Sequence, residues 1–252
     1  MAEDKIIGRN PVIEAMRSGT SISKIYVLYS ARGGSMSDIY SYAKRFGIPV
    51  SKVDTKQFND LLSDLPKHSH SIAQGVVATI TPVKFLSLNE LLNTLEGKPA
   101  PFLLILDRIQ DPQNFGAILR TAAYFNVDGV VIGKEEQAPV SEATLKASAG
   151  AAFHVKIVRE TNLQNVVKQL KENKFWIAAT DVKAKVSIKE FDFSLPVAVI
   201  IGNEGSGVKR ILKEKADINF ALPHIGEINS LNVSVATGII CYEVSQQRGG
   251  KI

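Results

Sequence analysis

The sequence predicts an α/β protein with two units: a small α/β unit over residues 1–80, a linker over 81–98, and a larger α/β/α unit built on a parallel sheet over 99–252. Three observations predict it. Runs such as FLLILD (102–107) and PVAVIIG (196–202) are continuously apolar, which suits parallel strands covered on both faces. Amphipathic patterns of helical period separate these runs, in the βαβ rhythm. Residues 81–98 break that rhythm with Pro82 and Gly97, and Pro99 and Pro101 follow directly.

In the first unit, NPVIEAMRSG (10–19) reads as a helix with Asn10 as N-cap, Pro11 at the first helical position and Gly19 as stop. KIYVLY (24–29) is strand-like. SDIYSYAKRFG (37–47) is a helix ended by Gly47, IPVSKVD (48–54) a strand, TKQFNDLLSDL (55–65) a helix and GVVATI (75–80) a strand. In the second unit, FLLILD leads into the helix NFGAILRTAAYF (114–125), then the strand GVVIG (129–133) and the helix SEATLKASAG (141–150), capped by Ser141. The strand FHVKIV (153–158), the helix NLQNVVKQLKENK (162–174) and the strands FWIAATD (175–181) and PVAVIIG follow. The helix VKRILKEKA (208–216), the strand INFALP (218–223) and a closing helix over 230–247 complete the chain.

Composition narrows the function. Thirty Lys/Arg against 25 Asp/Glu give a net charge of +5, a mild excess that fits a polyanionic partner without demanding one. The single cysteine, Cys241, excludes an internal disulfide and a cysteine metal cluster, and the four histidines lack ligand spacing. No run reaches the ~18 apolar residues of a membrane span, so a soluble, cytoplasmic protein is expected.

Open parallel sheets bind ligands beyond the carboxyl ends of their strands. Three loops there carry unusual residues. In LDRIQDPQNFGAILRTA (106–122), Asn114 precedes a helix and reads first as its N-cap. Arg120 lies six residues on, about 240° around that helix. Gly116, Ala117, Ala122 and Ala123 give the helix a surface that a neighbour could approach closely. In PVAVIIGNEGSGVKRIL (196–212), the glycine spacing matches neither G-x-G-x-x-G nor a Walker loop, and Glu204 would repel phosphate. The loop suits a neutral or cationic ligand held by backbone groups. In FALPHIGEINSLNVSVATG (220–238), Ser230 reads as a helix cap. Asn232 then falls in the first turn between two hydrophobes, where its amide needs partners.

NFGAILRTA, IGNEGSGV and LPHIGEINSLNVSVATGIICYE resemble the three motifs of the SpoU (TrmH) branch of the SPOUT RNA methyltransferases, a likeness covering residues 102–245. GRNPVIEAM and QGVVA are similar to the substrate-binding domain of the 23S rRNA guanosine 2′-O-methyltransferase group, with Ala73 where that pattern has His. The resemblance implies a deep trefoil knot in the second unit and an RNA-binding first unit. It implies methyl transfer from S-adenosylmethionine to a ribose 2′-hydroxyl of RNA by a homodimer, with no DNA, membrane or metal involved. Backbone at Gly202, Leu222 and Leu231 would hold the cofactor, with Thr180 near by. Arg120 would bind phosphate and polarise the hydroxyl, positioned with the ribose by Asn114, Glu204, Ser230 and Asn232. Arg9, Lys44 and Arg45 are candidate phosphate contacts of the first unit. A tRNA target and a non-catalytic role in ribosome assembly are the competing readings; the missing nucleotide fingerprint weighs against a Rossmann oxidoreductase.

Overall fold

The computed structural model describes residues 5–18, 20, 22–65, 69–80, 83–227 and 230–249. Gly19 and Pro82 lie outside them. The first unit runs β1 (Lys5–Ile7), α1 (Arg9–Ser18), β2 (Ile22–Leu28), α2 (Met36–Arg45), β3 (Val50–Val53), α3 (Thr55–Leu61), α4 (Ser69–Ala73) and β4 (Val76–Ile80). Its sheet has the order β1-β4-β2-β3, with β2 and β3 parallel and the other pairs antiparallel. Alternation along β2 sends Ile25 and Val27 to a core with Val12, Met16 and Ile39. Tyr26 and Leu28 face a smaller cluster with Phe58, Leu62 and Val77. Asn10 is not a cap: α1 begins one residue earlier. Gly8, at φ +96, turns the chain, and its carbonyl accepts the first helical bond from Val12 N–H at 3.2 Å.

The second unit runs β5 (Phe85–Leu86), α5 (Leu88–Asn93), β6 (Phe102–Asp107), α6 (Pro112–Tyr124), β7 (Gly129–Gly133), α7 (Glu142–Ala147), β8 (Ile157–Glu160), α8 (Leu163–Glu172), β9 (Trp176–Thr180), β10 (Val186–Ser187), β11 (Val197–Gly202), α9 (Arg210–Lys215), β12 (Ile218–Ala221) and α10 (Val233–Gln247). Residues 83–98, read as linker, supply β5 and α5 to this unit: Leu88, Leu91 and Leu95 are buried against its sheet. The sheet is wholly parallel, in the order β10-β12-β9-β11-β6-β7-β8-β5.

Both faces are covered, as the continuous apolar strands require. Leu104 and Leu106 of β6 pack with α6 and α10 through Ile118, Leu119, Ile240 and Val244. Leu103 and Ile105, one residue out of phase, pack with α5, α8 and α9 through Leu91, Val167, Leu170 and Leu212. Arg248 ties down the end of α10, donating to the carbonyls of Phe193, Leu195 and Ala100 at 2.8, 3.0 and 2.6 Å. The strand expected at 153–158 starts at Ile157, because Gly150 (φ +82) leads into a 3₁₀ turn over Ala151–Phe153 and the chain is still turning there. Strand order reverses at β6 and β11, the crevice position for a ligand in open sheets.

Candidate active site

Three side chains from three loops meet in a line, and their chemistry fixes its direction. The Glu204 carboxylate can only accept, so the Asn114 amide nitrogen donates to it. The Asn114 carbonyl oxygen is left to accept from the Asn232 amide nitrogen, at 2.9 Å. The Asn232 oxygen then accepts from the backbone N–H groups of Ser234 and Val235, at 2.9 and 3.4 Å, and from the Ser234 hydroxyl at 2.6 Å. Asn232 is therefore the N-cap of α10, with a non-helical backbone (φ −53, ψ 138). This corrects the placement of Asn232 inside the first turn and of Ser230 as cap. Asn232 is exposed rather than buried, and its hydrogen-bonding need is met. Asn114 is likewise not a cap: Asp111 caps α6 by accepting from Gln113 N–H, Pro112 takes the first position, and Asn114 is half-buried one turn in.

The Gly202–Gly207 loop that carries Glu204 is folded tightly on itself. A Cβ on Gly202 would stand 2.0 Å from the carbonyl carbon of Gly207, so this position admits only glycine. Asn203 closes the turn, its backbone carbonyl accepting from Gly207 N–H at 3.0 Å and its side chain from Ser206 N–H at 2.8 Å. A second fastening went unseen in the sequence. Asp107, 2% exposed at the end of β6, accepts from Lys209 N–H at 2.7 Å and pairs with Arg108 at 3.2 Å. Arg108 also donates to the Gly207 carbonyl at 3.1 Å, from a left-handed backbone at φ +64. The signal available was a carboxylate ending a fully apolar strand, where a bare charge is too costly to bury unpaired. Beside it, Lys209 bonds Glu136 at 3.0 Å; that hydrogen bond and the attached charge hold the Glu136 carboxyl below its ordinary range.

The four positions assigned to cofactor binding share one end of the sheet. Thr180 ends β9, Gly202 ends β11 and Leu222 follows β12; these three strands are neighbours. Thr180 donates its hydroxyl to the Ile200 carbonyl at 3.2 Å. Leu231, half-exposed, leads into the cap of α10, and Ile225 stands fully exposed in the loop before it. Such a rim of backbone and uncovered aliphatic groups fits an adenosine, and the neighbouring Glu204 carboxylate fits a cationic centre. Arg120 is not in the cluster. It is exposed on α6, with no hydrogen-bond or ion-pair partner among the described residues. Ser230 is exposed too. Of the candidate phosphate contacts, Arg9 is spent on the carbonyls of Gln74, Gly33 and Arg32, and Arg45 pairs with Glu135 of the second unit. Gly116 does not face outward: a Cβ there would meet the Thr144 carbonyl oxygen of α7 at 2.6 Å.

Among the described residues no group of acids, histidines and cysteine could hold a metal, and no helix is long and apolar enough to cross a membrane. Cys241 is buried in α10, which pushes its thiol up to about 12.

A Bacillus subtilis protein named as a TrmH family tRNA/rRNA methyltransferase is 35% identical over 246 residues, 97% of this chain and 96% of that one. An AdoMet-bound rRNA methyltransferase structure from Sinorhizobium meliloti superposes with a TM-score of 0.60 at 25% identity, covering 96% of this chain and 86% of the other. The A. aeolicus TrmH/SpoU tRNA modifying enzyme gives 0.56 at 31% identity over 64% of this chain and 82% of its own. The model of RNA 2′-O ribose methyltransferase substrate binding matches residues 5–86. The SpoU rRNA Methylase model matches residues 101–242, spanning all three loops, and the chain therefore belongs to the SpoU rRNA methylase family of S-adenosylmethionine-dependent RNA methyltransferases.

Proposed function

We propose that the chain methylates the ribose 2′-hydroxyl of a guanosine in 23S rRNA, working as a homodimer whose catalytic unit is a deep trefoil knot. The observation that carries the reading is the line Glu204–Asn114–Asn232, which joins all three loops at one end of the sheet. It holds no nucleophile of its own, and none is needed when two substrates only have to be held in line.

S-adenosylmethionine, when bound, supplies a methyl group already activated by its sulfonium. The backbone around Gly202, Leu222 and Leu231 would hold its adenosine, with Thr180 beside it. The protein's task is placement, because a ribose hydroxyl is a weak nucleophile and orientation supplies much of the acceleration. Asn114 and Asn232 are locked to each other, so their remaining polar surface and Ser230 form a fixed seat for the ribose. Glu204 fixes the sense of that seat. A guanidinium stays protonated and is a poor base at neutral pH, so Arg120 acts as a cation. It binds the adjacent phosphate and polarises the 2′-hydroxyl, whose proton passes to water in concert with the methyl transfer or late in it.

A second copy would bring Arg120 into the site. Val235, Ile239 and Tyr242 make an exposed apolar stripe along α10, and Tyr124, 83% exposed, lies one turn from Arg120 on α6. A two-fold contact over this stripe would cover it and place Arg120 beside the partner's seat.

The rRNA target rests on the first unit. The rRNA methyltransferase of S. meliloti aligns over 96% of the chain, whereas the A. aeolicus tRNA enzyme aligns over 64%. The test is a map of 2′-O-methyl positions in 23S rRNA and tRNA from cells with and without the protein. Loss of one guanosine methylation in 23S rRNA is expected; a loss confined to tRNA contradicts the target.

A further inference from the structure

The first unit contains a concave site that the transfer chemistry does not use. A cleft of ≈ 710 Å³ opens between the sheet and α3, lined by Lys5, Lys24, Tyr26, Lys52, Gln57 and Asp60, with Asp64 at its edge. We propose that it binds one unpaired RNA nucleotide, a guanosine, with the base on Tyr26 and the phosphate at Lys24 and Lys52. The proposal rests on the chain acting on RNA.

The cleft's chemistry excludes simpler ligands. Lys5 is spent on Asp64, at 2.7 Å, and on the Leu61 carbonyl at 2.9 Å. Lys24 and Lys52 have no ion-pair partner among the described residues, which leaves positive charge for an anion. A bare polyphosphate is disfavoured by Asp60 and Asp64, and a metal ion by three lysines. A nucleotide satisfies both halves. Its phosphate takes the lysines, and its base offers a donor edge to the acid.

The aromatic group is placed for that base. Tyr26 and Lys24 are two apart on β2 and share a face, and the Lys24 ammonium stands 5.0 Å from the centre of the Tyr26 ring. A surface lysine over a ring is a weaker contact than a stacked base. A base would therefore take Lys24's place on the ring and release the ammonium to its own phosphate. Gln57 and Asp60 sit on α3 across the cleft, and their side chains have no hydrogen-bond partner among the described residues. A carboxylate can accept two parallel bonds only from guanine, whose N1–H and N2–H₂ donors are adjacent. Specific RNA recognition commonly uses splayed bases stacked on aromatic rings and read at this edge.

The experiment measures fluorescence anisotropy of the full-length protein with a labelled oligouridine carrying one central guanosine, against the all-uridine oligomer. Methyl transfer to rRNA at limiting and saturating RNA is measured on the same samples. Tyr26→Ala should weaken the guanosine oligomer about tenfold, and Tyr26→Phe, which keeps the ring, should bind as the parent does. Asp60→Asn should erase the preference for guanosine and leave oligouridine binding intact. Lys24→Gln should weaken both oligomers and lower the salt slope by about one. KM for rRNA should rise in the Asp60 and Lys24 variants while kcat holds. If Asp60→Asn and Lys24→Gln, both at the cleft surface and folded by circular dichroism, bind and methylate as the parent does, the subsite is overturned and the transfer reading stands. If the parent prefers the guanosine oligomer through these residues yet moves no methyl to any RNA, the subsite stands and the transfer reading falls.

Discussion

Asn232 does two jobs that one substitution can separate. Its oxygen caps α10 and its nitrogen holds Asn114. Asn232→Ala removes both, and should cost about 1 kcal/mol of stability for the cap alone. Asn232→Asp keeps the capping oxygen and adds a charge favoured at a helix N-terminus, so thermal stability should hold. It also turns an acceptor toward the Asn114 oxygen, beside the Glu204 carboxylate, and transfer activity should fall about a hundredfold. Parallel melts and methyl-transfer rates check this; an active Asn232→Asp enzyme would mean that the line of amides does not orient the ribose. Cys241 gives a pH test. Burial raises its thiol to about 12, so almost no thiolate exists at pH 8 and iodoacetamide should label it only after unfolding, as mass spectrometry can show. Asn232's need for partners was legible in the sequence, from an amide between two hydrophobes. Its role as cap was not, since Ser230 has equal capping chemistry and only the packing of Val233 and Thr237 sets where α10 starts.

Glycines decide how the elements approach one another. On α6, Gly116 meets the Ala147 methyl position of α7 at 2.5 Å once a Cβ is added. Gly116→Ala should push the helices apart and cost about 1–3 kcal/mol, read from urea unfolding. The small-residue face of α6 was visible from its spacing. What fills it was not, because α7 of the same chain and a helix of a second copy ask the same of a surface; the structure gives the place to α7. Gly202→Ala should be more severe for activity than for folding, because the clash lies within the loop that carries Glu204, whereas β11 before it is held on both sides by β6 and β9. The strands themselves were the most legible elements, since FLLILD and VAVIIG leave no polar face for water. The cap of α6 and the start of β8 were not, because Asp111 and Asn114 are both good caps and a 3₁₀ turn shares apolar residues with a strand.

At the scale of the whole molecule, a substrate-binding unit is joined to a sheet end that we propose is completed by a second copy. Arg45 and Glu135 pair across the two units, a contact that charge counting alone could not assign because either residue reads as solvated surface. The exposed stripe on α10 predicts a dimer by light scattering. Ile239→Glu with Tyr242→Glu should give monomers that keep their circular dichroism and lose transfer, since Arg120 then has no partner site to complete. The most direct measurement of the central claim is transfer of labelled methyl from S-adenosylmethionine to rRNA by mixed dimers of Arg120→Ala and Asn114→Ala chains. Each homodimer should be nearly inactive. The mixed dimer should recover activity, because one of its two sites draws an intact Arg120 from one chain and an intact Asn114 from the other. A mixture as inactive as its parents, with mixed dimers shown to form, would contradict a site assembled at one end of the sheet from two copies of the chain.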